Sequence, residues 1–248
     1  MLQRLLFFLL GTFFLLASLP VSSEIIRELN SNKTISENYE ITTLYEGDEY
    51  ADLTTYYFRG HIIEIEEVLK EEEIYRDTHD YKIGIADLSL KINGEEVETL
   101  KDHPIRTDSF GLSRYFGEVA FLVLEDKKSY KTEFVVLLKK TKVFLKAKPN
   151  GDLDGWVPIE ELNYSMITLD EEGNITNTYF NMTERDALQT QLLNQGTVVP
   201  YYIGYHNDYL AGYPSLFFPI AFPFGTLIIG FILIMVGFLI RKKKNVVS

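Results

Sequence analysis

"YKIGIADLSLKINGEEVETL", Tyr81 to Leu100, is the stretch on which the fold turns. Tyr81, Ile83 and Ile85 share one parity and Leu88, Leu90 and Ile92 the other. A strand with one buried face must therefore change register near Ala86 and Asp87, where a bulge would bend it. Asn93-Gly94 follows and is the strongest hairpin signal in the chain, because both central residues of a type I′ turn take positive φ. Pairing outward from that turn sets Lys91 opposite Glu96 and Leu90 opposite Val97, so charged and apolar positions agree across the strands. The expectation is an antiparallel, mainly β domain.

Working outward, "TTYYFRGHIIEIEEV" (54–68) is β-branched and aromatic, with Ile63 and Ile65 alternating against Glu64 and Glu66. The acidic run "KEEEIYRDTHD" (70–80) reads as the turn into the next strand, and "KDHPIRTDSFGLSRY" (101–115) as a long loop. "GEVAFLVLE", "YKTEFVVLL" and "KVFLKAK" read as three strands, the first two joined by Asp126 to Ser129. Their near-continuous apolar runs predict burial on both faces. Asn163 to Leu169 is a further strand with its turn at Asp170 to Asn174, and "TVVPYYIGY" (197–205) a last one. One short helix is expected from Thr183 to about Asn194: Thr183 as cap, Asp186 three later, Leu188 and Leu192 on one face, Gly196 at the end. No internal repeat occurs. The whole reads as one antiparallel β-barrel or sandwich over residues 39–213.

The two ends are apolar. At the N-terminus Arg4 precedes an uncharged run from Leu5 to Val21 with small residues at Ser22 and Ser23, the layout of a signal peptide over residues 1–23, with an uncleaved anchor as the alternative. Residues 24–38 are polar and without periodicity, which predicts a flexible lead-in. Ser215 to Ile240 carries no charge, so a transmembrane helix is expected at 216–240, followed by a cytoplasmic tail at 241–248 whose Arg241, Lys242, Lys243 and Lys244 hold that end inside. Gly230 and Gly237 lie one heptad apart, so they share a helix face that a second helix can approach closely. The expected topology is single-pass, with the β-domain extracytoplasmic.

All 36 acidic residues lie between the two apolar ends, whereas Arg4 and Arg241 to Lys244 are 5 of the 24 basic ones; 19 against 36 leaves −17 for the intervening segment. That charge argues against a nucleic-acid partner and keeps a surface domain soluble. Cysteine is absent, so there is no disulfide framework, no thiolate metal site and no Cys nucleophile. The motifs of serine hydrolases and zinc peptidases and the phosphate loop are missing. His61, His79, His103 and His206 show no paired metal spacing.

One metal motif does stand out. In "PNGDLDGWVPIEE" (149–161), Asn150, Asp152, Asp154 and Glu161 have the oxygen-ligand spacing of a calcium loop, with Gly155 at the turn. Asn in place of the first Asp, Pro158 at the water-bridging position and strand-like flanks favour a plain strand connection instead. Weak calcium is the one cofactor the sequence suggests. Asn32, Asn163, Asn174 and Asn181 head glycosylation sequons. Lysines 127, 128, 131, 139, 140, 142, 146 and 148 read as strand-face charges able to meet the Glu64 to Glu73 region, within or between molecules. Tyr201, Tyr202, Tyr205, Tyr209 and Tyr213 suit a headgroup level.

"LKAKPNGDLDGWVPIEEL" (145–162) resembles the distal hairpin and Gly-aromatic-Val-Pro closure of SH3-like barrels. "ERDALQTQLLNQGTVVPYYIGYHND" (184–208), followed by a membrane span, resembles the close of GIDE-type beside-a-membrane modules, whose cysteine-bearing ligase ring this chain lacks, so only a shared scaffold is implied. The general layout is similar to archaeal-type or Gram-positive-type cell-surface proteins. The functional expectation is a non-catalytic binding or scaffolding domain anchored in a membrane, with a protein partner in the same bilayer. The alternatives are an accessory subunit of a membrane complex and a hydrolase with a dispersed site.

Overall fold

The computed structural model describes residues 2–44, 54–77, 79–144, 146–147, 153–154, 157–198 and 217–240. The chain divides into two compact units, one formed by the two ends of the sequence and one spanning Thr34–Tyr202.

In the second unit the strands are β1 (Tyr39–Thr43), β2 (Thr55–Phe58), β3 (His61–Arg76), β4 (Lys82–Ile92), β5 (Glu95–Arg106), β6 (Val119–Asp126), β7 (Thr132–Lys139), β8 (Lys146–Ala147), β9 (Leu153–Asp154), β10 (Asn163–Leu169) and β11 (Ile175–Asn181). They form a five-stranded sheet in the order β1-β6-β7-β10-β11, a four-stranded sheet β2-β3-β4-β5 and the small pair β8-β9, and every pairing is antiparallel. The two larger sheets share one core. Tyr56, Phe58, Ile63, Ile65, Leu88, Leu90 and Ile92 of the smaller sheet are buried with Phe121, Phe134, Val136 and Ile167 of the larger. Tyr56 meets Phe121 edge-on at 4.8 Å between ring centroids, and Phe58 meets Phe134 at 5.8 Å. This is a sandwich, and among the described residues no closed barrel forms, because each sheet keeps its own terminal strands.

The expected parity switch inside β4 does not occur at Ala86 and Asp87: Gly84, Ala86, Leu88, Leu90 and Ile92 are buried in unbroken alternation, and the extra residue lies in the facing strand β5. Ala86 pairs with His103 and Leu88 with Leu100, so Asp87 faces two residues of β5, Lys101 and Asp102. Asp102 takes φ 50°, and its amide donates to the Asp87 carboxylate at 2.8 Å. Asn93 and Gly94 have φ 54° and 81°, as a type I′ turn requires. Lys91 does face Glu96, but Leu90 faces Glu98 rather than Val97, because the register slips by one residue just beyond the turn.

Three elements differ from expectation. The acidic run does not turn the chain: β3 continues to Arg76, with register shifts between Leu69 and Glu71 and between Glu71 and Tyr75 that fold its extra residues over Gly84. The supposed long loop begins later, since β5 runs through Pro104 to Arg106. A proline is tolerated there because β5 ends the sheet. Among the described residues of "KVFLKAK", Lys146 and Ala147 pair and 142–144 do not.

The larger sheet is covered on both sides, as the apolar runs of β6 and β7 predict. Its second face carries Ala120, Leu122, Leu124, Val135 and Leu137, all buried, and helix α2 (Ala187–Gln195) ends against it, Gly196 packing on Ala120 and Leu122. The cap of α2 is Asp186, not Thr183. Its carboxylate accepts from the Gln189 amide while the Gln189 side chain accepts from the Asp186 amide, a complete capping box.

The first unit is helical. Helix α1 (Leu2–Asn38) is continuous over 37 residues, about 55 Å at 1.5 Å per residue. The expected flexible lead-in at 24–38 is therefore its last turns, a polar continuation of an apolar helix. A kinked π-type turn (Ile220–Gly225) leads into α3 (Thr226–Leu239). Both α1 and the Ile220–Leu239 stretch are long and apolar enough to cross a membrane. The single C-terminal apolar helix of the sequence reading is thus one of two. The face of α3 bearing Gly230 and Gly237 is occupied by α1, whose Gly11 and Phe8 lie against it.

Candidate functional site

Two kinds of charge occur in the sandwich, one inside and one on an open sheet face. Inside, Glu118 stands just before β6, opposite the last residue of β7. Its carboxylate accepts from Lys139 Nζ at 2.6 Å and pairs with His103 Nε2 of β5 at 2.7 Å, and all three residues are buried. The pair joins the two sheets. Lys139, expected on an exposed face, is buried because its ammonium turns inward onto Glu118.

A second knot is Glu67, whose carboxylate accepts from Arg114 Nε at 2.6 Å, from Arg114 Nη2 at 2.7 Å and from the Tyr115 hydroxyl at 3.1 Å. Burial, with the neighbouring Glu67 charge, pushes the Tyr115 hydroxyl well above its usual range. Arg114 also donates to the carbonyls of Arg106, Thr107 and Ser109 and so gathers the 107–118 connection around itself. Arg106 lies between the Tyr81 and Phe116 rings at 4.3 and 4.5 Å.

The third is Glu98 of β5. Lys140 Nζ, the Thr99 amide, the Tyr179 hydroxyl and Asn177 Nδ2 donate to it at 2.8, 3.0, 2.6 and 3.2 Å. Desolvation works to raise its pKa, yet these donors outweigh it and hold the carboxyl at about 2. The expected pairing of the lysine-rich strands with Glu64 to Glu73 therefore does not occur among the described residues. Lys139, Lys140 and Lys142 meet Glu118, Glu98 and Asp102.

The solvent face of the smaller sheet is built differently. Since Ile63 and Ile65 enter the core, Glu64 and Glu66 must point outward. Register then sets Glu64, Lys91 and Glu96 in one cross-strand row and Glu66, Ser89 and Thr99 in the next. Lys91 Nζ reaches Glu66 at 2.5 Å, and its pKa is raised by that bond and by the charges of Glu66, Glu64 and Glu96. Glu96 is lowered, first by the bond it accepts from the Ser89 hydroxyl. One lysine thus sits among three carboxylates. Beside these rows Tyr57 stands opposite Ile62 and is 78% exposed, and Val68 is 63% exposed. Further along, Lys70 bridges Asp87 and Asp102, 2.6 Å from each. This acidic face with exposed apolar side chains can bind.

The predicted metal residues are only partly visible. Asn150 and Asp152 lie outside the described residues, and Asp154 is described through its backbone alone, on β9 opposite Lys146. Glu161 is exposed at the end of a 3₁₀ turn (Ile159–Glu161), its carbonyl accepting from the Thr141 hydroxyl at 2.6 Å. Among the described residues no three His, Asp or Glu side chains group to hold a metal ion. The tyrosine run and the strand expected from 197 to 205 fall outside the described residues from 199 onward.

Of the sequons, Asn32 lies within α1 and Asn174 is exposed on the β10–β11 turn, bonded to Asp170 at 2.8 Å. Asn163 and Asn181 face each other across β10 and β11, with the Asn181 amide donating to Asn163 Oδ1 at 3.2 Å and to the Glu160 carbonyl at 2.7 Å. Sequence reasoning missed the knots at the buried Glu118 and the half-buried Glu67 and Glu98. Their side-chain partners lie 15 to 81 residues away, and nothing local marks these carboxylates for such contacts. Comparison with protein-family models, with curated proteins and with solved structures finds no match for this chain.

Proposed function

We propose that this protein is a membrane-anchored binding or scaffolding module, displaying its β-sandwich on the extracytoplasmic side and using the open face of the smaller sheet to hold a basic protein partner in the same bilayer. The observation that carries the reading is the cross-strand arrangement of Glu64, Glu66 and Glu96 around Lys91, flanked by exposed Tyr57, Ile62 and Val68. Apolar anchors inside a charged surround are what a protein interface needs: burial supplies affinity, and charge steers the approach and selects the partner. The anchoring half rests on the two apolar helices, and the orientation on Arg4 and the basic run 241–244 at the outer flanks of the apolar stretches.

Two measurements test it. Protease added to intact cells should remove the sandwich; full protection sinks the orientation. Cross-linking in native membranes should join the partner through this face, and the yield should fall with Glu64→Lys plus Glu66→Lys. A yield unchanged by that reversal sinks the assigned face.

A further inference from the structure

We propose that the N-terminal apolar helix is a permanent second membrane span, paired antiparallel with α3, and not a leader removed near Ser23; this rests on the membrane reading above. Contacts run in opposite order along the two helices. Phe8 lies edge-on to Phe238, 4.9 Å between centroids, and against Gly237. Gly11 comes so close to Gly230 that a Cβ on Gly11 would stand 2.8 Å from the Gly230 carbonyl oxygen, and one on Gly230 would stand 3.0 Å from the Gly11 carbonyl oxygen. Leu15 follows against Gly230, and Ser18 then shares a hydrogen bond of 2.7 Å with the Thr226 hydroxyl.

Positions 8, 11, 15 and 18 fall on one helix face, as do 226, 230, 234 and 237. The seam is therefore a side-chain-specific fit along both helices. The Ser18 hydroxyl finds its partner in the Thr226 hydroxyl, which itself donates to the Pro223 carbonyl at 3.0 Å, and glycines let the backbones approach, which is how helices associate in lipid where the hydrophobic effect between them is absent. The outer faces carry Leu9, Phe13 and Leu16 on α1 and Phe231, Ile232 and Met235 on α3, all exposed and suited to acyl chains. Removal of residues up to Ser23 would leave the groove at Gly230 and Gly237 empty and Thr226 without the Ser18 hydroxyl. The segment a leader peptidase would cut is also helical here. Val21 to Ser23 lie in the middle of α1 with Ser22 buried, whereas proteases take extended backbone. Because the helices are antiparallel, Arg4 comes to the end of the pair from which the run 241–244 continues, so both basic flanks satisfy the positive-inside rule together.

The chain contains no cysteine, so one engineered pair reports unambiguously. Full-length protein carrying Ser18→Cys and Thr226→Cys is oxidised in isolated membranes, the sandwich is then digested, and the two helix fragments are sized with and without reductant. The expected result is linked fragments that separate on reduction. The intact mass of wild-type protein from the same membranes, which needs no variant to fold, should include the residues before Ser23. A mature chain beginning near Ser23, or a full-length chain whose fragments never link, overturns the inference. Alkaline carbonate extraction separates the two levels of failure. A chain released by carbonate refutes membrane anchoring itself, whereas a carbonate-resistant chain lacking its first residues refutes only the second span.

Discussion

Glu98 and Glu118 are both carboxylates that join the two sheets, yet they should fail differently. Glu98 has a depressed pKa in the fold, about 2 against an ordinary 4.5, so its contribution is fully present above 4.5 and is lost as pH falls toward 2. Acid unfolding of the wild type should steepen within that window, and Glu98→Gln should flatten it while costing about 1–3 kcal/mol at neutral pH, because its donors lose their charged acceptor. Denaturant titrations at several pH values give both numbers, and identical slopes for the two proteins would refute the assignment. For Glu118 no solvent shares the load. Glu118→Gln leaves the buried Lys139 ammonium without its counter-charge and should cost about 3–5 kcal/mol. Replacing all three partners by apolar side chains, His103→Leu, Glu118→Leu and Lys139→Met, should recover most of that loss. A triple variant as unstable as the single one would mean that the knot stabilises by more than cancelling its own burial.

At the scale of elements, the sandwich depends on two places where one strand departs from regular pairing. The extra residues of β3 bring the carbonyls of Glu71 and Glu72 onto Gly84, and Thr107 closes over them by donating its hydroxyl to the Glu72 carbonyl at 2.6 Å. A methyl group at position 84 has nowhere to go among backbone atoms. Gly84→Ala should therefore cost about 1–3 kcal/mol, the range for overpacking, and a melting temperature equal to wild type would show that β3 can move away. Helix α2 depends on its N-cap in a more ordinary way. Asp186→Ala should remove about 1 kcal/mol and expose the α2 amides first, which hydrogen exchange would read as faster exchange confined to that helix.

At the scale of the whole molecule, the excess of acidic residues between the apolar ends predicts an association that weakens with salt. Contacts made by Glu64, Glu66 and Glu96 on the open sheet face are screened beyond a Debye length of about 8 Å at 0.15 M. Cross-linked yield should fall steadily as salt rises above that concentration, and more steeply than for contacts made through Tyr57 and Val68, whose burial salt does not weaken. A yield insensitive to salt would assign the binding to the apolar residues alone.

Antiparallel strands, the Asn93-Gly94 turn and the apolarity of both ends were determined by the sequence alone, because each is a short-range matter of side-chain alternation, of residues that tolerate positive φ, and of hydrophobic length; the bulge beside Asp87 lies in β5 and not, as the parity of β4 suggested, in β4 itself. Lys91 facing Glu96 was legible for the same reason, since only two turn residues separate the strands. Tertiary structure decided the rest. That Glu98 rather than Val97 faces Leu90 depends on a one-residue slip imposed by packing, which no local pattern marks. Whether a lysine is solvated, as Lys131 is, or buried, as Lys139 is, depends on a carboxylate brought from a distant strand, and the two look alike in sequence. That the N-terminal apolar run sets Gly11 and Ser18 against Gly230 and Thr226, more than 200 residues away, is likewise visible only in the folded chain. Residues that close a fold at long range carry no periodicity of their own, so their partners become known only when the chain is folded.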